Sequence, residues 1–195
     1  MDVTETISYY ECSAREYAKE ITPLPPEPRA AALDRLMALV RPGGVVLEVG
    51  SGTGRDADYV EWLGATVRRT DAARAFADIQ AERGERVALL DVVADDLGGP
   101  YDAVLAMCVL MHVGHGHIDP VLRKVTAALR PAGAFLVSVR EGQGESTGPA
   151  RMAFWSRAEF ADLLARAGLG VEWDDHHVDG DGDAWITFLA RRATT

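Results

Sequence analysis

The amino-acid sequence predicts an α/β protein with a mainly parallel sheet of seven strands, helices on both faces and an antiparallel hairpin at one edge. Three observations carry this prediction. Short apolar segments alternate with amphipathic segments of helical period from residue 45 onward. Glycines follow several of the amphipathic segments, at the positions where helices commonly stop. The last two apolar segments are joined only by DGDGD, which indicates a tight turn and not a crossover helix.

The first 40 residues are predicted to form a helical cap or lid, and residues 41–195 the core of the same single domain. Tyr10, Tyr17 and Ile21 recur at helical spacing in the first segment. The prolines of TPLPPEP end that helix, and a second helix follows in PRAAALDRLMALV. RPGG then makes the turn into the core.

In the core, strands and helices follow one another in order. The predicted strands are VVLEVG, ATVRRTD, ERVALLD, YDAVLAMC, AFLVSVR, GVEWDDHHV and AWITFLARR. The predicted helices are RDADYVEWLG, AARAFADIQAERG, IDPVLRKVTAALRPAG and SRAEFADLLARAG. Gly64, Gly84 and Gly168 close three of them, and Ser156 is the predicted N-cap of the last.

Composition and charge narrow the function classes. The formal net charge is −10, which disfavours nucleic acid and anionic membranes as partners. Cys12 and Cys108 lie far apart and form no CxxC pair, so neither a zinc site nor a disulfide framework is indicated. The sequence has no membrane-length apolar run and no signal-peptide core, and we therefore predict a cytoplasmic protein.

Residues 46–56, VLEVGSGTGRD, place three glycines on alternate positions between a strand and a helix. Glycine allows a ligand to approach the main chain closely, so a bound nucleotide is indicated. The spacing is GxGxG, and the third glycine of a pyrophosphate-binding GxGxxG would fall on Arg55. Glu48 would repel a pyrophosphate but suits a cationic tail. Both features disfavour a nicotinamide dehydrogenase.

With these residues in view, LEVGSGTGR resembles motif I of the class I S-adenosylmethionine-dependent methyltransferases. Further landmarks fall in the family's order, from about Tyr9 to Arg191. Asp71, 21 residues after Gly50, resembles the residue that binds the ribose hydroxyls, and Asp91 the residue near the adenine amino group. The resemblance implies a Rossmann-like fold whose seventh strand inserts antiparallel beside the fifth, which accounts for the hairpin. It implies S-adenosylmethionine as the cofactor.

The resemblance also implies which residues contact that cofactor. They are Tyr10, Tyr17, Glu48, Gly50, Ser51, Gly52, Gly54, Asp71, Ala72, Asp91, Val92 and Met107. Each has a structural alternative: the glycines as a turn, Asp71 as a helix N-cap, Asp91 as a solvated strand end, a tyrosine as core. Asp56, in the first helical turn, more commonly serves the helix dipole.

Few residues are candidates for handling the substrate. His112 follows the fourth strand and is either a general base or a packing residue. Glu141 is a second catalytic candidate at the end of the fifth strand. Tyr9, His112, Arg140 and Trp155 are the predicted substrate-binding residues, with helix packing as the alternative for Trp155. Methyl transfer requires no metal, and no metal cluster is predicted.

The residues after the fourth strand disfavour several substrate classes. AMCV stands where amino-methylating nucleic-acid enzymes carry [DN]PP[YF], and Met107 precedes Cys108 where cytosine-C5 enzymes carry Pro-Cys. The leading hypothesis is therefore an N- or O-methyltransferase acting on a small molecule. Its composition resembles that of enzymes of specialised metabolism. The alternative is a catalytically inactive cofactor-binding partner or regulatory subunit of the same fold. No motif specifies the oligomeric state.

Overall fold

The computed structural model describes residues 3–194, which form one mixed sheet with helices around it. The strands are β1 (Val45–Val49), β2 (Thr66–Asp71), β3 (Val87–Leu89), β4 (Tyr101–Ala106), β5 (Leu129–Glu141), β6 (Phe154–Trp155), β7 (Leu169–Val178) and β8 (Ala184–Arg192). The helices are α1 (Val3–Glu20), α2 (Arg29–Met37), α3 (Arg55–Trp62), α4 (Arg74–Ala81), α5 (Ile118–Ala128) and α6 (Arg157–Arg166), with a 3₁₀ turn at Leu110–His112.

The sheet order is β3-β2-β1-β4-β5-β8-β7. The first five strands of this path are parallel, and β8 lies antiparallel between β5 and β7. This confirms the predicted Rossmann-like architecture with an inserted antiparallel strand. The sheet has eight strands and not seven, because the two residues of β6 pair in parallel with the end of β5. Such a short pairing leaves no recognisable period in the sequence.

Both faces of the sheet are covered, as a parallel sheet requires. In β1 the side chains alternate between two separate apolar clusters: Leu47 and Val49 belong to one, and Val46 to the other. α5 and α6 pack on the first face, and α2 on the second through Leu33 and Leu36. Helices on opposite faces leave the carboxyl ends of the parallel strands open at one edge, where a ligand can enter.

The helix ends follow local chemistry, with one correction. Ser156 and Glu159 form a capping box at the start of α6, which confirms the predicted N-cap. The helix predicted before the fifth strand extends through LRPAG, but α5 ends at Ala128 and β5 begins at Leu129. Pro131 explains the difference, because proline disfavours helical backbone at the residue before it and has no N–H to donate.

α1 packs on α4, and its side chains from residue 4 onward contribute to neither of the two large clusters. Its Ala14 belongs to a third, small cluster with Ala73 and Phe76. The proline-containing segment 21–28 joins α1 to α2, which packs on the sheet itself. Among residues 3–194, no helix is long and apolar enough to cross a membrane.

Candidate functional site

A large pocket opens at the carboxyl ends of β1, β2 and β4, beneath α1. Its empty volume is about 1050 Å³, with the open space at its mouth included. β1 lies between β2 on one side and β4 on the other, so the chain order reverses there. This is the topological switch point at which open α/β sheets bind ligands.

Glycine is required at the three positions after β1 for different physical reasons. All have positive φ: 66° at Gly50, 55° at Gly52 and 84° at Gly54. A Cβ at Gly50 would lie 2.4 Å from a Val109 methyl, and one at Gly54 would collide with polar side chains of β2, α4 and the turn after α4. A Cβ at Gly52 would meet no protein atom within 4 Å, although Gly52 lines the pocket. Gly52 therefore leaves space that faces the pocket, whereas Gly54 lies outside it and begins α3.

Asp71 supports this glycine loop from the end of β2. Its Oδ2 accepts a hydrogen bond from the Gly52 N–H at 2.8 Å, and its Oδ1 accepts one from the Ala73 N–H at 2.8 Å. Burial raises the pKa of Asp71, and the backbone hydrogen bonds oppose that rise. The carboxylate lines the pocket, with lone pairs left to accept hydrogen bonds from a ligand. Glu11 of α1, and not Asp71, caps the first N–H groups of α4.

Glu48 is a buried carboxyl group beside the loop. Its side chain lines the pocket, and Oε2 is buried with no hydrogen-bond partner. Burial raises the pKa of Glu48 to about 8, and the nearby Asp56 carboxylate adds to the rise. A buried oxygen without a partner indicates a hydrogen-bond donor or cation supplied by a ligand.

Two arginines line the same side of the pocket. Arg29, the first residue of α2, pairs with Asp56 at 2.7 Å, and its Nη1 lies 3.5 Å from the Cys108 sulfur. Arg55 pairs with the other Asp56 oxygen at 3.2 Å. Asp56 thus orients both guanidinium groups in addition to lying in the first turn of α3. This side of the pocket therefore offers positive charge close to the carboxyl group of Glu48.

The far end of the pocket follows β3 and β4. Leu90, Asp91 and Val92 line it after β3, and Met107 lines it after β4. Asp91 Oδ1 accepts a hydrogen bond from the Val93 N–H at 2.8 Å, which turns the chain at this point. Apolar side chains beside one carboxylate make this end suitable for a flat ring with an amino group.

His112 ends the 3₁₀ turn after β4 and lies between two hydrogen-bond partners. Nδ1 is 2.8 Å from the Arg151 carbonyl oxygen, and Nε2 is 3.2 Å from the Tyr10 hydroxyl oxygen. Because a carbonyl only accepts, Nδ1 carries the proton and Nε2 accepts one from Tyr10. Burial lowers the pKa of His112, so the ring is neutral at pH 7, and its Nε2 lone pair accepts the hydrogen bond from Tyr10 at the pocket wall.

The aromatic residues of α1 close the pocket from above. The Tyr10 ring contacts the rings of His112, Tyr17 and Phe76, with centroids 5.5, 6.1 and 5.8 Å away. Burial raises the pKa of Tyr10 and of Tyr17, so both hydroxyls stay protonated near neutral pH. Tyr10 and Tyr17 of α1 thus pack against neighbouring rings, and both residues also line the pocket.

The structure brings eleven of the twelve predicted cofactor residues to the pocket, and His112 with them; Gly54 is the exception. Four predicted substrate-binding or catalytic residues do not line the pocket: Tyr9, Trp155, Arg140 and Glu141. Tyr9 is 41% exposed on the outer side of α1. Trp155 is buried against Phe160 and His115.

Arg140 and Glu141 are directed toward the hairpin and not toward the pocket. Arg140 pairs with Asp183 and lies over the Trp185 ring. Glu141 accepts a hydrogen bond from His176 Nε2 at 2.7 Å. The expectation that these side chains line the pocket is therefore corrected. β5 pairs with β6 and β8 at this end, and the side chains of Arg140 and Glu141 bind partners in the hairpin.

Other pocket residues have no signal in the sequence that identifies them. Arg29 follows a proline run, Thr6 lies within a polar helix, and Arg55 occupies the position of a missing glycine. These residues reach the pocket because α1 and α2 fold back over the end of β1. The local sequence pattern does not show where the two helices pack in three dimensions. Among residues 3–194, no group of three or more His, Cys, Asp or Glu side chains is arranged to hold a metal ion.

The sequence matches one family model over part of its length. Residues 47–135, from β1 into β5, match the model described as a methyltransferase domain. A search of curated proteins finds no significant match. The matched segment contains the glycine loop, Asp71, Asp91 and His112, so it includes most of the pocket.

Solved structures resemble the chain over nearly its whole length. One is the 1,6-didemethyltoxoflavin N1-methyltransferase of Burkholderia thailandensis, with bound 1,6-didemethyltoxoflavin and S-adenosylhomocysteine. It is 25% identical, with a TM-score of 0.74 over 97% of this chain and 88% of that one. A DhpI–S-adenosylhomocysteine complex is 23% identical, with a TM-score of 0.77 over 99% and 98%. The CcbJ methyltransferase of Streptomyces caelestis is 20% identical, with a TM-score of 0.73 over 93% and 96%. At 23% and 20% identity, the last two structures show only that the fold is shared.

Proposed function

We propose that the chain is a class I S-adenosylmethionine-dependent methyltransferase and that it methylates a nitrogen or oxygen atom of a small molecule. The observation that carries the proposal is the neutral His112 ring, which lines the pocket and whose Nε2 accepts a hydrogen bond from Tyr10, another pocket residue. The similar Burkholderia enzyme, a 1,6-didemethyltoxoflavin N1-methyltransferase, supports the substrate class. A role in specialised metabolism, a cytoplasmic location and the absence of nucleic-acid partners stay predictions from the sequence.

The pocket suits S-adenosylmethionine by its donor set. The space left open at Gly52, the Asp71 carboxylate and the apolar end around Leu90 and Val92 match a ribose and an adenine ring. The unpartnered Glu48 Oε2 suits an ammonium group, and the guanidinium of Arg29 suits a carboxylate. When bound, this cofactor supplies an electrophilic methyl group on a sulfonium.

The chain's own residues then hold the acceptor and take its proton. Nε2 of His112 is the base, because the Arg151 carbonyl holds the proton on Nδ1. Tyr10 covers this nitrogen and donates a hydrogen bond to it, so the acceptor's proton reaches Nε2 through the Tyr10 hydroxyl. A positioned base of this kind accelerates proton transfer by about 10²–10⁴-fold.

We expect cofactor binding to release a proton from Glu48. The pKa of Glu48 is about 8 in the free protein, so the carboxyl group is mostly protonated between pH 6 and pH 7.5. An ammonium group beside Oε2 favours the ionised form and lowers that pKa. Affinity should therefore rise by up to about tenfold per pH unit over this range. Calorimetry in buffers of different ionisation enthalpy counts the protons released. Glu48→Gln should release none; proton release equal to that of the parent would assign the titration to another group.

We expect Asp71→Ala to weaken cofactor binding by about 1.5–3 kcal/mol, the range for hydrogen bonds to a charged group. The carboxylate accepts hydrogen bonds from the loop and is positioned to accept further ones from ribose hydroxyls. Isothermal calorimetry with S-adenosylhomocysteine measures the change. Asp78→Ala, an exposed position on α4 with the same loss of charge, is the matched control. Parental affinity in Asp71→Ala would mean that the ribose binds elsewhere.

The function is tested by turnover. Purified protein is incubated with S-adenosylmethionine and a library of heterocycles, phenols and amines, and S-adenosylhomocysteine is quantified. We expect formation that depends on the acceptor, and a loss of about 10²–10⁴-fold in kcat for His112→Gln with unchanged cofactor affinity. Cofactor binding without turnover on any acceptor would instead support the alternative of a cofactor-binding partner subunit. Absence of cofactor binding would contradict both.

A further inference from the structure

The pocket wall formed by α1 and the 3₁₀ turn differs from the rest of the site. We call Thr6, Ile7, Tyr10, His112 and Val113 the acceptor wall; all five line the pocket. Burial keeps the hydroxyl of Tyr10 protonated and the ring of His112 neutral, so none of the five side chains carries a charge near pH 7. The acceptor wall is therefore polar in three places and uncharged throughout.

The charged residues of the pocket all lie on the other elements. They are Arg29, Glu48, Arg55, Asp56, Asp71 and Asp91, which come from α2, β1, α3, β2 and the segment after β3. Glu5, beside Thr6 on α1, is directed away from the pocket and pairs with Arg151 at 2.6 Å. A cationic amine against the acceptor wall would find no carboxylate among the five wall residues, and burying an unpaired charge is costly. The wall thus favours a neutral molecule.

Thr6 carries an unexplained polar atom on this wall. Thr6 as a whole residue is 4% exposed, and its buried Oγ1 has no hydrogen-bond partner among the described residues. Thr6 and Tyr10 are four residues apart on α1, so they lie on the same helix face, one turn apart. A buried hydroxyl normally has a partner, which indicates a group brought by the ligand.

The hydrogen-bond directions on the wall are set by the Arg151 carbonyl. Tyr10 donates a hydrogen bond to Nε2 of His112. Its oxygen therefore keeps lone pairs that can accept a hydrogen bond from a ligand. The Thr6 hydroxyl can donate. The wall therefore presents an acceptor at Tyr10, connected to a base at His112, and a donor one helical turn away.

From this pattern, and resting on the methyltransferase function proposed above, we infer that the acceptor is a neutral molecule in which the methylated N–H or O–H stands beside a carbonyl. Thr6 donates to the carbonyl, and Tyr10 accepts from the N–H or O–H. The acceptor atom exchanges its proton for the methyl group, and that proton passes through the Tyr10 hydroxyl to Nε2 of His112. Thr6 is the residue that determines specificity.

Probe binding to protein saturated with S-adenosylhomocysteine tests this inference without relying on activity. Lumazine is the N–H probe and methyl salicylate the O–H probe. 1,3-Dimethyllumazine, methyl 2-methoxybenzoate and benzylamine are the matched controls. We expect at least one of the two probes to bind about tenfold more tightly than its methylated control and than benzylamine. The probe that binds identifies the acceptor atom as nitrogen or oxygen.

Variants of Thr6 assign the donor. Thr6→Val should weaken binding of the favoured probe by about 3- to 10-fold, and Thr6→Ser should restore it, with S-adenosylhomocysteine affinity unchanged in both. Ser13→Ala, whose hydroxyl bonds only within α1, controls for effects on the helix. Equal probe binding by Thr6→Val, or tighter binding of benzylamine, would overturn the inference. If benzylamine is also methylated, the inference fails while the proposed function stands; if cofactor-bound protein methylates no acceptor of any class, the proposed function fails.

Discussion

Gly52→Val is expected to abolish S-adenosylmethionine binding, while Gly43→Val leaves the affinity at the parental level. Both glycines have similar positive φ, 55° and 67°, and at both a Cβ would meet no protein atom within 4 Å. The backbone strain of a branched residue, about 1–3 kcal/mol, is therefore the same in the two variants. Only Gly52 faces the pocket, so only there would the new methyl groups occupy the ligand's space.

The comparison is made by calorimetry with S-adenosylhomocysteine and by thermal unfolding of both variants. Equal losses of unfolding temperature with unequal losses of affinity separate ligand contact from strain. Gly50→Val is not a suitable variant, because a side chain there collides with Val109 and disturbs the fold directly. If Gly52→Val binds as the parent does, the loop is an ordinary turn and the ligand lies elsewhere.

The order of elements could be predicted from the sequence because their signals are local. Hydrophobic period, glycine stops and the Ser156 capping box each operate within a few residues. The same locality explains the two differences. The two-residue β6 has no period of its own, and Pro131 ends α5 earlier than the apolar pattern suggests. The pocket residues that follow strand ends were predictable for the same reason, since parallel strands end at one edge.

Residues brought in by packing were not predictable in this way. Arg29 reaches the pocket only because α2 lies on the sheet face beside β1, and Thr6 only because α1 folds over the strand ends. Arg140 and Glu141 end a strand at the correct edge but turn toward β7 and β8. The tautomer of His112 depends on a carbonyl 39 residues away. Side-chain direction and long-range contacts decide these cases.

α1 is attached to the protein through α4 and through residues of the site. It caps α4 through Glu11, contacts His112 through Tyr10, and reaches the segment 142–153 through the Glu5–Arg151 pair. Among residues 4–20 of this helix, the one fully buried apolar residue is Ala14, which belongs to the small cluster with Phe76. None of the side chains described for α1 belongs to either large cluster, so few apolar contacts resist its opening. This favours the predicted lid over a fixed cover.

We therefore expect the amides of residues 5–22 to exchange hydrogen rapidly in the free protein and slowly once cofactor is bound, because a ligand beneath Tyr10 and Tyr17 adds the contacts that hold α1 closed. Amides of α5, which lies away from the pocket, should not change and serve as the internal control. Exchange is followed by mass spectrometry with and without S-adenosylhomocysteine. Equal protection of residues 5–22 in both states would mean that α1 is a fixed helix and that its tyrosines only pack.

Deleting residues 1–22 is the stronger form of this prediction. We expect turnover to fall by at least about 100-fold, because the variant loses Thr6, Tyr10 and the cover that excludes water from the reaction. The sheet should stay folded, since both large apolar clusters are left complete and only the cluster around Phe76 opens. Circular dichroism and a cooperative thermal transition test the fold, and S-adenosylhomocysteine formation tests the activity. A truncated protein that turns over at the parental rate would show that α1 neither closes the site nor contributes to it.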